Sequence, residues 1–210
     1  PGFSAGAGFL DDYRALDAEL DWASGAKSSA SLSVDRMNLR FSFENSDLTV
    51  GRQAVSFGKA YFWNPLDVFM PFDPNEFDRD YKAGVDAVRY DYHLSFFSGV
   101  TLLAALGSRN SPPGTAPGPP RSFEADWYGS SLIARYFGHS NGWDYSLQAG
   151  KIYGGTQAGA GLVGEVTSWQ LRLEGAYFFA DDDSSALPFY GEKLLSDNFT
   201  CVLGAGRYYE

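Results

Sequence analysis

A single cysteine, Cys201, excludes an intrachain disulfide framework and a cysteine-based zinc site. Two histidines, His93 and His139, leave little for imidazole chemistry. Basic residues are also few: 16 Lys and Arg stand against 26 Asp and Glu, for a formal charge of −10. A nucleic-acid binder needs a basic face, so that class is excluded. No apolar run reaches the ~20 residues of a transmembrane helix. The longest, 96–106, is broken by Ser98, Gly99 and Thr101. No signal-peptide pattern is visible, and the chain opens on Pro1 without Met, which reads as a processed or partial product.

What is present is aromatic, glycine-rich and periodic. Phe, Tyr and Trp make up 17% of the 210 residues, enough to supply many strand positions. The length suits one domain, 1–210. The dominant period is two. Leu16, Ala18, Leu20 and Trp22 share one face, with Asp17, Glu19 and Asp21 on the other. Met37, Leu39, Phe41 and Phe43 alternate with Asn38, Arg40 and Ser42. Leu32 and Val34 have the opposite parity, which predicts a bulge near Asp35–Arg36.

Ten strands are predicted, over 15–24, 31–43, 47–58, 81–92, 95–106, 125–137, 143–153, 157–166, 169–180 and 197–209. Many exceed the ~5–6 residues usual in soluble proteins and match the ~9–11 of a membrane-crossing strand. Connections alternate short and long, and aromatics gather near strand ends. Both features are expected of an up-and-down outer-membrane barrel. The fold expected is therefore all-β: an antiparallel up-and-down transmembrane β-barrel of about ten strands. A soluble β-sandwich or lipocalin-like barrel is the minor alternative.

The segment 48–58, with Gly51-Arg52-Gln53 and Phe57-Gly58, leads into Asn64-Pro65-Leu66-Asp67, then Pro71-Phe72-Asp73-Pro74 and Gly84-Val85-Asp86-Ala87. Over about 45 residues, 48–92, it resembles porin-like outer-membrane β-barrel proteins of proteobacteria. The resemblance implies passive diffusion of small hydrophilic solutes through a charged lumen. It also implies a bacterial outer-membrane location, contact with lipid and lipopolysaccharide, and no cofactor. Such proteins usually end in an aromatic residue, whereas this chain ends in Glu210, and they are often longer. The 210 residues are accordingly read as part of a larger barrel or a truncated product. The alternative function is a non-conducting scaffold barrel that sheaths or anchors a partner. A homo-oligomer or a partner protein is left open.

The pore-lining or constriction candidates are Arg40, Arg52, Gln53, Asp67, Asp73, Lys82, Asp86, Arg89, Arg135, Lys151, Arg172 and Glu174. Arg and acid rings set selectivity in pores, but such charges can equally pair to hold a sheet together. The 59–80 loop reads either as an inward-folded constriction, with Asp67 and Asp73 meeting solute, or as a rigid outer loop stiffened by three prolines. The acidic 59–80 and 181–196 segments would concentrate cations at one mouth. The Pro/Gly-rich 107–124 segment and 181–196 read as outer loops. No catalytic or metal constellation is legible. His93 and His139 fall in predicted turns, and consecutive His139-Ser140-Asn141 is not how a triad is assembled.

Overall fold

The structure, a computed structural model, describes residues 13, 15, 19–25, 28–60, 64–69, 82, 84–107, 125–181 and 197–207. Eleven strands form two sheets. A hairpin of β1 (Glu19–Gly25) and β2 (Ser28–Ser33) stands as its own sheet. The other nine make one antiparallel meander: β3 (Met37–Ser42), β4 (Ser46–Gln53), β5 (Val85–Ser95), β6 (Ser98–Ala105), β7 (Ser131–Ser140), β8 (Trp143–Ile152), β9 (Gly155–Val166), β10 (Trp169–Ala180) and β11 (Asn198–Arg207). Strand order follows chain order.

This architecture corrects the expected barrel. The strand order ends at β3 on one side and β11 on the other, and neither pairs with a further strand among the described residues. The sheet is open. The bulge expected near Asp35–Arg36 is a full break, with residues 34–36 outside any strand and β2 and β3 in different sheets. A parity switch signals that the backbone departs from one ladder. It does not say whether the chain rejoins that ladder or leaves it. No described helix is long and apolar enough to cross a membrane.

The turns follow from local chemistry. Asn141 and Gly142 join β7 to β8 with φ of 52° and 80°. Positive φ at both positions is the type I′ geometry that matches strand twist, and Asn-Gly favours it. Residues 43–45, 96–97 and 167–168 close the same end of the sheet, with Thr167 also at positive φ. Within β4, Gly51 has φ of 117°, and a Cβ there would lie 2.5 Å from the Met37 carbonyl oxygen. Gly51→Ala is expected to cost about 1–3 kcal/mol through backbone strain. The loss should appear in denaturant unfolding, with faster amide exchange in β3. An unchanged midpoint would refute it.

Cross-strand register gives the two faces distinct characters. On one, Phe41, Leu48, Tyr90, Leu102, Ala134, Ala149, Ala158, Tyr177 and Phe199 lie side by side across all nine strands. Its large apolar side chains are mostly exposed: Leu102 46%, Leu147 58% and Leu203 74%. The opposite face holds the core. Val85, Ala87, Leu103, Ala105, Ile133 and Ala176 are buried there under Val55, Phe57, Leu66 and Phe69 of the segment that follows β4. Tyr13 joins this cluster, edge-on to Phe69 at 5.1 Å and bonded to Ser131 Oγ at 3.1 Å.

Candidate functional site

The segment from Val55 to Phe69 is the organising feature of the covered face, and Asp67 shapes it. The Asp67 carboxylate accepts from Ser56 Oγ at 2.9 and 3.1 Å, from the Phe57 amide at 2.6 Å and from the Gly58 amide at 3.1 Å. Lys82 Nζ lies 3.2 Å from its other oxygen, with both side chains buried. The carboxylate thus folds 56–58 back onto 67, much as an acid caps a helix N-terminus. Burial pulls the Lys82 ammonium below its ordinary pKa, and Asp67 opposes that fall.

The same segment is tied to β8–β10 through its backbone. Glu174 accepts from the Lys59 and Ala60 amides, while Arg172 donates to the Lys59 carbonyl. Gln148 donates to the Leu66 carbonyl and Gln157 to the Pro65 carbonyl, each at 3.1 Å. Lys59 Nζ reaches Asp144 at 3.2 Å. Leu66 is fully buried over Gly159 and Gly161. A Cβ at Gly159 would come within 2.6 Å of Leu66 Cδ2 and 2.7 Å of the Gly175 carbonyl oxygen. Small residues in β9 therefore make the seat for Leu66.

The other predicted site residues are placed as follows. Arg52 clasps Asp86 at 2.9 and 3.1 Å and donates to the Val34 carbonyl at 2.8 Å. Gln53 donates to the Ala87 carbonyl at 3.0 Å. Arg89 clasps Asp91 at 2.8 and 3.0 Å, and Thr101 donates to Asp91 at 2.6 Å. Arg40, on edge strand β3, meets Asp47 at 2.7 Å. Hydrogen bonds from Arg40 first, then Ser42 and His93, hold the Asp47 carboxyl well below the usual range. Lys151 falls in the row of Leu132 and Thr156, on the opposite face from Gln148, and donates to the Tyr128 and Ile152 carbonyls. Asp73 lies outside the described residues, as do most of 107–124 and 181–196.

Among the described residues, buried polar atoms of the covered face and its cover without a hydrogen-bond partner include Asn64 Oδ1, Arg135 Nε, Gln148 Oε1 and Glu174 Oε2. Burial raises the Glu174 carboxyl, and the Lys59 and Ala60 amides pull the other way. Burial lowers Arg135, with Arg89 adding to the fall. Sequence reasoning missed Ser56 and Lys59, which meet the Asp67 and Asp144 carboxylates, and Gln148 and Gln157, which meet the distant Leu66 and Pro65 carbonyls; none of these bonds leaves a spacing signal.

No family model, curated protein or solved structure matches the chain. Membership of the porin-like family over 48–92 is therefore unsupported. The open sheet removes the closed wall on which the channel, the scaffold barrel, the outer-membrane location and the lipid and lipopolysaccharide contacts all rested. The segment that carried the resemblance serves instead as cover for one face of an open sheet. The class that fold and site define is an open antiparallel sheet with a self-supplied cover.

Proposed function

We propose that the chain is a non-catalytic interaction module whose exposed apolar sheet face docks against a second copy of itself. One observation carries this reading. Two adjacent rows of that face run from strand to strand without a single charged residue. The first runs from Phe41 to Phe199; the second includes Tyr92, Val100, Tyr136, Leu147, Ala160 and Cys201. Nine strands about 4.8 Å apart, taken over these two rows, give a strip of roughly 600 Å². The next row adds Leu39, Val50, Val88, Ala104 and Leu132 before it reaches Lys151, which brings the apolar area towards the ~800 Å² of one partner's share of a standard interface. The chain carries −10, yet none of that charge lies in the first two rows, so two identical faces meet without repulsion. Support for a non-catalytic role comes from the histidines. His93 pairs with Asp47 at 3.1 Å and His139 with Asp144 at 2.7 Å, without a nucleophile bonded to either ring among the described residues.

Light scattering on purified protein at micromolar concentration in aqueous buffer is the test. A dimer or small closed oligomer is expected, and Leu102→Asp with Leu147→Asp should lower its mass to the monomer's. A wild-type monomer would overturn the reading. So would an unchanged mass in the variant, or recovery only as a complex with detergent.

A further inference from the structure

We propose that Arg135 is the anchor of a binding site for a small hydroxycarboxylate on the covered face of the sheet. The case begins with a bookkeeping of partners. A guanidinium carries five donors and stays charged, so a half-buried one without a hydrogen bond is unusual. Arg135 has no hydrogen bond or ion pair among the described residues, and its Nε is fully shielded. Two of the three acids whose charge it feels are engaged elsewhere, and the third does not reach it. Asp91, in the same cross-strand row, is held by Arg89 and Thr101. Asp67 is held by Lys82, Ser56 and two amides. Glu174 spends one oxygen on the Lys59 and Ala60 amides and is not within ion-pair distance of Arg135.

The guanidinium is nevertheless fixed. Its central carbon lies 5.3 Å from the ring centre of Phe57 and 5.3 Å from that of Phe137. Contacts to the two rings hold the cation without using any of its N–H donors. Those donors form a rigid fork, and a carboxylate is the anion that matches it with two parallel bonds. The hydroxyl follows from the neighbour. Gln148 is the direct cross-strand partner of Arg135. Its amide nitrogen is used by the Leu66 carbonyl and by Gln157, which fixes the amide's orientation and leaves Oε1 buried as an unanswered acceptor. A carboxylate alone would satisfy Arg135. A carboxylate with an adjacent hydroxyl satisfies both residues, since the hydroxyl donates to Gln148 Oε1.

The experiment is calorimetric titration of the full chain with lactate, and with propionate as the analogue lacking the hydroxyl. Lactate should bind saturably, and propionate at least about tenfold more weakly, the worth of one lost hydrogen bond to a buried acceptor. Arg135→Met should weaken lactate at least tenfold while leaving the thermal midpoint unchanged or higher, because no hydrogen bond of the chain is lost. Arg135→Lys keeps a cation between the rings and guards against a folding failure in the Met variant; lacking the fork, it too should bind lactate weakly. Arg40→Met, on the far edge strand, should bind as the wild type does. No saturable lactate binding would overturn the site, as would full affinity in both Arg135 variants or equal loss in Arg40→Met. Equal affinity for lactate and propionate would overturn the assignment of Gln148.

Discussion

Asp67→Ala is expected to be the most damaging single substitution in the described chain. It removes the acceptor for Ser56 Oγ and for the Phe57 and Gly58 amides, and strands the Lys82 ammonium in a buried site. Removing one partner of a buried ion pair typically costs about 3–5 kcal/mol, because the remaining charge keeps its desolvation penalty. For a chain of this length that lowers the thermal midpoint by about 10 °C. Asp67→Asn keeps one carbonyl acceptor for the turn and should cost less. Adding Lys82→Met to Asp67→Ala should recover part of the loss, and a double-mutant cycle by denaturant unfolding would measure it. A loss under 1 kcal/mol in Asp67→Ala would show that the turn at 56–58 holds without its carboxylate.

The second large effect is predicted at Leu66. It is fully buried in the seat made by Gly159 and Gly161, and its carbonyl accepts from Gln148. Leu66→Ala should cost about 2–5 kcal/mol, the sum of lost burial and the cavity left behind. Gly159→Val attacks the same contact from the other side. There a Cβ meets a flexible leucine methyl at 2.6 Å and a fixed backbone oxygen at 2.7 Å, so only one of the two can yield. The two substitutions share one contact and should be less than additive. Full additivity in unfolding measurements would mean that Leu66 and Gly159 are not coupled.

These effects also mark where the sequence was legible. Alternation located β5, β6 and β8 to β11 to within a few residues, because side-chain parity acts between near neighbours, while the strand read over 125–137 is β7 at Ser131–Ser140. Arg52 and Asp86 stood among the pore-lining candidates, and they are cross-strand partners in a bidentate pair. The break at 34–36 was read as a bulge, since parity alone cannot distinguish the two. The 59–80 loop was left between an inward constriction and a rigid cover. Its described residues at 59–60 and 64–69 lie against the sheet, held by backbone bonds from Glu174, Gln148 and Gln157 that no spacing could reveal.

Sequence by itself determined that this chain would be antiparallel β, two-faced, and cysteine-poor enough to need no covalent staple. A period of two gives every strand an apolar and a polar side whatever lies beyond its neighbours. Whether the first and last strands meet is a different matter. Closure depends on strand count, stagger and tilt summed over the whole sheet. Those are tertiary quantities, and among the described residues they leave β3 and β11 as the two edges of the sheet. The tertiary structure also decided which polar groups are satisfied. It set Arg89 on Asp91 and Lys82 on Asp67, and it left Arg135 between two aromatic rings with its donors unanswered. Hydrogen-bond partners across a sheet are chosen by distance in space, and sequence spacing does not encode that distance.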